Sequence, residues 1–398
     1  MRKPLEIARM RAEIPVNPLA GFTASIQPIN ALKNAFAQPA GPPREVIIMP
    51  RAPKSSLAHA LSPKALSLWS KILTRAELFR ETAPWQWIDG ASLLGVRDLV
   101  SGEIDWCSIM GQGGETFGVA IYPGEAGLRS LQSMLDHGPD EFDAILQQTA
   151  HVLTFNDRNG ITKDMAVILK ACDRRYRGAN AWPELIIYDP GLFPKPPCDE
   201  ATLARSLNVL DCLSGMFVQS IKNPGWEMAD EQGRAWVAFP EADGMTTVVR
   251  QAVPVIPALP LPILPLDEVS VGRIRAQRRA PGNQVLIDWF PGEAVIEGPE
   301  ANGRPYFAMH LLAFDTTTEM ILGAKISSFA TVWTEMAHLL LSIAEQGGVP
   351  SQVVVRRSEA LTVLGPLAQA LGTKITQQKK AAEQLIRQFR DQLQAMMG

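Results

Sequence analysis

Cysteine is scarce in this chain, which has 398 residues and four cysteines, Cys107, Cys172, Cys198 and Cys212. No two of them form the Cys-x-x-Cys pair of a zinc ribbon. Their wide spacing is also unlike the framework of a small disulfide-stabilised domain. A reducing compartment is therefore expected, and the cytoplasm is the predicted location.

An excess of charge of either sign is missing as well. There are 38 Lys and Arg against 41 Asp and Glu, for a net charge of −3, so no global positive field attracts nucleic acid. No stretch approaches the roughly 18 uninterrupted apolar residues that a membrane span needs. The basic start, residues 1–11, has no apolar core behind it, so neither a membrane segment nor a secretory signal is expected.

The common catalytic signatures are absent too. The five histidines show no metal spacing, and there is no Gly-x-Ser-x-Gly elbow, kinase signature or Walker lysine. The glycine-rich segment Gly111–Glu115 is followed by a strand-like segment. A phosphate-binding loop would instead lead into a helix N-terminus. This segment is predicted to be a hairpin turn.

Apolar residues make up 46% of the chain, enough for two or three domains with real cores. The pattern predicts an α+β protein with two modules. We expect a Pro/Ala-rich arm (1–60), an α+β domain (61–245), a proline-rich linker (246–270) and a second domain (271–398). The linker prolines favour extended polyproline II backbone. A semi-rigid spacer is preferred over the alternative, a ligand for a proline-reading module.

The first module alternates between helical and strand-like patterns. Its predicted helices are 62–82, a helix carrying Leu128, Leu131 and Leu135, 162–172 and 199–219; its predicted strands are 104–110, 116–122, 151–155 and 182–188.

The second module begins with a strand meander and continues with alternating helices and strands. The predicted order is strands 285–290, 305–315 and 322–326, helix 329–344, strand 352–357, a helix with a kink or restart at Gly365-Pro366, and strand 373–376. This order resembles the RNase H-like superfamily, which includes integrase and transposase cores. The resemblance implies a mixed sheet.

Four segments carry a second resemblance, to a bacterial two-module family of unassigned function. They are 111–128, 177–183, 188–191 and 303–324. Some members of that family end in a zinc-binding tail like that of the SecA C-terminus. This chain has no such tail, because its last cysteine is Cys212. The resemblance implies the domain layout and brings no activity with it.

The chemistry of the RNase H-like reaction requires clustered carboxylates that hold two divalent cations. Asp288 stands where the first carboxylate belongs, on the first strand. Arg356 and Arg357 stand where the second belongs, and arginine offers only donors. Asp288 is therefore predicted to be either a relic of the metal site or a structural carboxylate that pairs with one of these arginines, in a degenerate domain without a cofactor. The alternative is a phosphodiesterase that holds Mg²⁺ or Mn²⁺ with Asp288 and Glu383.

The expected function is therefore non-catalytic binding, most simply to a protein partner. A local cluster, Arg273, Arg275, Arg278 and Arg279, could instead grip nucleic acid phosphates, although a solvated loop is the simpler interpretation. At the C-terminus, apolar residues recur at helical spacing from Thr376 to Met397. This amphipathic helix is expected to cover its own sheet, with homo-oligomerisation as the alternative.

Overall fold

The computed structural model describes residues 61–90, 92–137, 146–222, 233–241, 245–276, 284–296, 304–318 and 320–380, together with 383, 384, 386 and 387. Within these residues, no helix is long and apolar enough to cross a membrane. Two separate sheets organise the chain, with seven strands in the first and five in the second. The α+β class and the two-module layout are confirmed.

The first module contains four α-helices and seven strands within the described residues. The helices are α1 (Pro63–Thr82), α2 (Gly124–His137), α3 (Lys163–Ala171) and α4 (Glu200–Lys222). The strands are β1 (Leu93–Arg97), β2 (Ile104–Met110), β3 (Phe117–Tyr122), β4 (Ala150–Asn156), β5 (Trp182–Tyr188), β6 (Arg234–Pro240) and β7 (Thr246–Ala252).

Local signals explain several of these boundaries. The Ser62 hydroxyl accepts the Ala65 N–H at 3.0 Å and caps α1, while Pro63 occupies the first turn, where no N–H is needed. Thr162 caps α3 in the same way through Met165 N–H. The hairpin predicted around Gly111 is confirmed, because β2 and β3 pair antiparallel with Met110 opposite Gly118.

The seven-stranded sheet has the order β5-β4-β3-β2-β1-β6-β7. All neighbours are antiparallel except β1 and β6, which are parallel. Helices α1, α3 and α4 cover one face, and their core includes Trp69, Phe79 and Phe217. Helix α2 covers the other face over Trp106 and Tyr122. Burial of both faces explains why β2 and β3 are apolar almost throughout.

Among its described residues, the second module contains five strands and three helices whose bounds are complete. The helices are α5 (Glu268–Arg275), α6 (Val332–Gly347) and α7 (Ser358–Leu371); the strands are β8 (Gln284–Ile296), β9 (Tyr306–Asp315), β10 (Met320–Ser327), β11 (Gln352–Val355) and β12 (Lys374–Gln377). The sheet order is β10-β9-β8-β11-β12. Strands β8, β11 and β12 are mutually parallel, and β9 is antiparallel to both of its neighbours.

One face of this sheet packs against all three helices, around Trp289, Phe307, Met336 and Leu367. Helix α7 runs without a break through Pro366. Of the kink or restart predicted at Gly365-Pro366, the restart is therefore wrong, since buried leucines on both sides hold the helix together despite the missing N–H. The kink stays a prediction.

The opposite face carries Phe290 and Leu312, which pack with Ile386. The described part of the C-terminal segment thus covers its own sheet. Most apolar positions of the predicted helix from Thr376 to Met397 lie outside the described residues.

The extended proline-rich segment starts later than the predicted residue 246. Strand β7 occupies Thr246–Ala252 and pairs with β6, so the spacer begins after it. The Gln132 side chain on α2 donates to the Pro254 carbonyl at 2.7 Å and accepts the Ile256 N–H at 2.8 Å. Leu261, Leu264 and Leu266 pack on the core of the second module. The spacer therefore touches both modules.

Candidate functional site

Asp288 is positioned by the parallel pairing of β8 with β11. Val354 lies opposite Leu286, so β11 ends beside the next residues of β8. Arg356 and Arg357 follow at once, and Arg357 is the N-cap residue of α7. Arg356 and Arg357 therefore lie at the end of β11, next to the Asp288 side chain on β8. The carboxylate is 1% exposed.

Both oxygens of this carboxylate accept hydrogen bonds from guanidinium groups. Arg356 Nε donates to Oδ2 at 2.6 Å, and Arg357 Nη1 donates to Oδ1 at 2.6 Å. The backbone N–H of Trp289 also donates to Oδ1, at 2.9 Å. Charge-assisted bonds of this length are among the strongest in proteins. The sequence predicted pairing with one of the two arginines, and the structure has both.

Arg357 is held by more than its ion pair. Its Nη1 also donates to the Trp289 carbonyl at 2.9 Å, and its guanidinium carbon lies 3.7 Å from the centre of the Trp289 ring. A cation stacked this closely on a buried indole gains cation–π attraction. The ring itself meets Phe329 and Trp333 edge-on. Asp288, Arg357 and Trp289 therefore form one packed unit.

The donor set around Asp288 does not fit a divalent cation. A metal ion would need the lone pairs that the two guanidiniums already occupy, and their positive charge would repel it. Within the described part of the chain, no three His, Cys, Asp or Glu residues are grouped as metal ligands. Glu383, the predicted second acid, is exposed on the C-terminal segment. Asp315 accepts the Thr317 and Thr318 N–H groups and forms a turn.

The predicted arginine patch is only partly described. Arg273 and Arg275 are exposed in the last turn of α5, where positive charge suits the helix dipole. Arg273 lies 3.9 Å from Glu345. Arg278 and Arg279 lie outside the described residues. The patch stays a prediction.

A second buried ion pair occurs in the first module and was not predicted. Asp105 on β2 is fully buried and accepts Arg205 Nε at 2.9 Å, Arg205 Nη2 at 2.5 Å and the Gly124 N–H at 3.0 Å. Burial raises the pKa of Asp105, although Arg205 and Gly124 oppose this. The sequence signal was a single carboxylate within an apolar strand, the same signal that marked Asp288.

His151 lies on the same face of the sheet as this pair. Its Nδ1 is 3.0 Å from the Ser206 hydroxyl, which itself donates to the Thr202 carbonyl at 2.9 Å. His151 Nδ1 therefore carries a proton and donates to Ser206. Burial, with the nearby Arg205, lowers the pKa of His151 to about 4. A half-buried neutral histidine with a satisfied ring nitrogen is a structural residue.

Comparison with known families divides the chain at the same place as the two sheets. Residues 69–237 match a domain of unknown function (DUF7309), and residues 270–394 match another domain of unknown function (DUF6930). The chain is a tandem of these two domains. This agrees with the two-module family of unassigned function that the motifs resembled. No significant match was found among curated proteins or among solved structures.

Two of the segments that carried the family resemblance contact each other across the domains. Asp189, after β5 of the DUF7309 domain, forms an ion pair with Arg304, just before β9 of the DUF6930 domain. Leu192 forms an isolated antiparallel β-bridge with Tyr306. Gly191 O accepts the Phe307 N–H at 3.0 Å, and Phe193 N–H donates to the Pro305 carbonyl at 2.8 Å. The DUF7309 turn thus hydrogen-bonds to the start of β9 through an isolated β-bridge.

Close packing accompanies these hydrogen bonds. Phe193 and Phe307 have ring centres 5.5 Å apart. Gly191 has φ +73°, and a Cβ there would lie 2.3 Å from Phe329 Cβ. Only glycine fits both the backbone and the space. The sequence showed the Asp-Pro-Gly turn but could not show what it touches.

The remaining resemblance segments meet at a groove on the DUF7309 domain. This open groove has a volume of about 470 Å³. The half-buried rings of Trp85 and Phe117, with centres 5.1 Å apart, line it together with Asn180. Charged side chains of Arg80 and Glu81 are also part of its lining. Among the described residues of this domain, the groove is one candidate surface for a ligand.

Proposed function

We propose that this chain is a non-catalytic binding protein whose two domains act as one unit. In the DUF6930 domain, arginine side chains occupy the position where an RNase H-like enzyme would bind its metal ions. The observation that carries the proposal is the complete engagement of Asp288 by Arg356 and Arg357. A buried carboxylate bound on both oxygens stabilises the fold and is not available to a substrate. Cysteine usage and the family resemblance support a bacterial, cytoplasmic setting.

An RNase H-like ancestry for the DUF6930 domain is part of the proposal. The sheet order β10-β9-β8-β11-β12 supports it, because the first strand of the module, β8, lies in the centre. Of the five strands, only β9 runs antiparallel to the others. Asp288 lies on the first of these strands, and the arginines follow the fourth. Fold alone does not confer activity, so the nature of the site decides the function.

The competing function is metal-dependent phosphodiester hydrolysis. It would require Arg356 and Arg357 to leave Asp288, and an acid such as Glu383 to approach it. Withdrawing two guanidiniums from a carboxylate that is 1% exposed leaves an unpaired buried charge, which is strongly unfavourable.

Hydrolysis assays distinguish the two functions. The full chain is incubated with single-stranded DNA, double-stranded DNA, RNA and bis-p-nitrophenyl phosphate in Mg²⁺ or Mn²⁺. We expect the rate of the wild type to equal that of an Asp288→Asn preparation purified in parallel. Cleavage that is present in the wild type and lost in the variant would refute the proposal.

The class of partner is tested separately. We expect a protein partner. Nucleic acid binding, if it occurs through the arginine patch, must weaken with salt, with a slope that depends on the number of phosphate contacts. Changing Arg273, Arg275, Arg278 and Arg279 together to alanine should flatten that slope. An unchanged slope excludes the patch, and binding that stays tight at high salt would contradict a phosphate-based mode altogether.

A further inference from the structure

The groove on the DUF7309 domain lies at the C-terminal end of α1. Its lining includes Arg80 and Glu81 from the last turn of that helix, the rings of Trp85 and Phe117, and Asn180. The two ring planes are tilted by 50° to each other, and both side chains are half-buried. Partly exposed aromatic rings of this kind are the surfaces on which proline rings pack. The nearby Asn180 amide is a donor for the carbonyl groups that polyproline II backbone leaves unpaired.

Two neighbouring charges of opposite sign lie beside these rings. Arg80 and Glu81 are both exposed. Within the residues that the structure describes, neither side chain forms an ion pair. A ligand that matches the groove therefore has prolines for the two rings, followed by one basic and one acidic side chain. Opposite charges placed in this way fix the register of a bound peptide.

A segment with this chemistry occurs in the chain itself, in the arm that precedes α1. The arm, residues 1–60, contains eight Lys and Arg against three Asp and Glu. Because the whole chain has a net charge of −3, the residues after the arm carry an excess of acidic groups. The arm includes the segment Pro39-Ala-Gly-Pro-Pro-Arg-Glu45. Polyproline II has about three residues per turn, so Pro39 and Pro42 match one face of it.

The length of chain before α1 decides which prolines reach the groove. Helix α1 has 20 residues, so its two ends are about 30 Å apart. Pro43 precedes Leu61, the first described residue, by 18 positions, and an extended chain of that length spans about 60 Å. Pro53 precedes Leu61 by only 8 positions, which span about 26–29 Å. The segment 39–45 therefore reaches the groove with slack, and Pro50-Arg-Ala-Pro53 does not.

We propose that residues 39–45 of the arm bind the groove of their own chain, with the prolines on the two aromatic rings, Arg44 beside Glu81, and Glu45 beside Arg80. The covalent link favours the chain's own arm over a separate molecule. A tethered segment has an effective concentration on the order of 1 mM, so an intrinsic Kd of about 0.1 mM gives about 90% occupancy. The inference concerns the arm and the DUF7309 domain, and it does not rest on the state of Asp288.

Competition between the arm and a free peptide tests the contact in the full chain. A fluorescein-labelled peptide of residues 36–46 is titrated with the wild type and with an arm variant that carries Pro42→Ala, Pro43→Ala and Arg44→Ala. Fluorescence anisotropy measures both affinities. We expect the arm variant to bind the peptide about tenfold more tightly, because the arm of the wild type already occupies the groove. Equal affinities, or no binding to either chain, overturn the proposal.

Charge reversal in the arm variant tests the site and the register. Glu81→Arg changes an exposed side chain and should weaken binding of the peptide several-fold, whereas a peptide with Arg44→Glu should bind this variant more tightly than the original peptide does. Glu268→Arg is the matched control, because Glu268 is an exposed glutamate of the DUF6930 domain; it should leave the affinity unchanged. Equal effects of Glu81→Arg and Glu268→Arg, or no gain with the Arg44→Glu peptide, contradict the proposed contact.

Discussion

Replacing Arg357 by methionine removes one guanidinium from Asp288 and keeps a long apolar side chain over Trp289. In the wild type, Arg357 donates to the Asp288 carboxylate at 2.6 Å and to the Trp289 carbonyl at 2.9 Å, with its side chain 8% exposed. The substitution leaves Asp288 with Arg356 and one backbone N–H as partners.

The expected cost follows from these contacts. Removing one partner of a buried ion pair costs about 3–5 kcal/mol, and a desolvated cation–π contact contributes about 2 kcal/mol. Because Asp288 keeps Arg356, and methionine still packs on the indole, we expect a loss of about 3–4 kcal/mol in the unfolding free energy of the DUF6930 domain. Combining Arg357→Met with Asp288→Asn should cost less than the sum of the single changes, because each already removes the same interaction.

Urea unfolding followed by tryptophan fluorescence measures this loss, since Trp289 lies directly under Arg357. Arg273→Met is the matched control: its side chain is 71% exposed, and a surface change of this kind stays within about 0.5 kcal/mol. Equal, small losses of unfolding free energy for Arg357→Met and Arg273→Met would show that the stability of the buried Asp288 does not depend on Arg357.

Two further substitutions probe the domain contact and the half-buried His151. Gly191→Ala should lower the unfolding free energy by about 2–4 kcal/mol, through left-handed backbone strain and steric overlap at the domain contact. Gly114→Ala controls for strain alone, because Gly114 has φ +80° with open space around it. Equal losses of stability for the two variants would contradict a packed contact at Gly191. His151 has a pKa near 4 in the folded state against 6.5 when exposed. The unfolded chain therefore binds a proton that the folded chain does not, and stability falls as the pH drops from 6.5 towards 4. His151→Gln should reduce this fall by about 1.4 kcal/mol per pH unit. Urea unfolding at several pH values measures it, and an unchanged dependence of stability on pH would show that His151 is not the group responsible.

Strands with continuous apolar runs could be predicted from the sequence because their pattern is local. The ranges expected for β2 and β5 are those observed, and β8 was found but continues to Ile296. Strand β1 was missed, because five residues that include Gly95 carry little periodicity. Its place in the middle of the sheet depends on β6, about 140 residues away, and such long-range pairing leaves no local trace.

The site was predictable where chemistry restricts the partners. A buried carboxylate needs a cation, and Arg356 and Arg357 stood at the strand end that the expected fold brings to Asp288. The contact between Asp189 and Arg304 was not predictable. Both residues lie in turn segments that a single sequence reads as ordinary loops, and only the folded chain brings the two domains together.

Isothermal titration of the full chain with Mn²⁺ is the most direct measurement of the central claim, that Asp288 is a structural carboxylate closed by two arginines. We predict no saturable heat in the wild type and the same trace for Asp288→Asn at a temperature where both are folded. Micromolar Mn²⁺ binding that the wild type shows and Asp288→Asn lacks would contradict the claim.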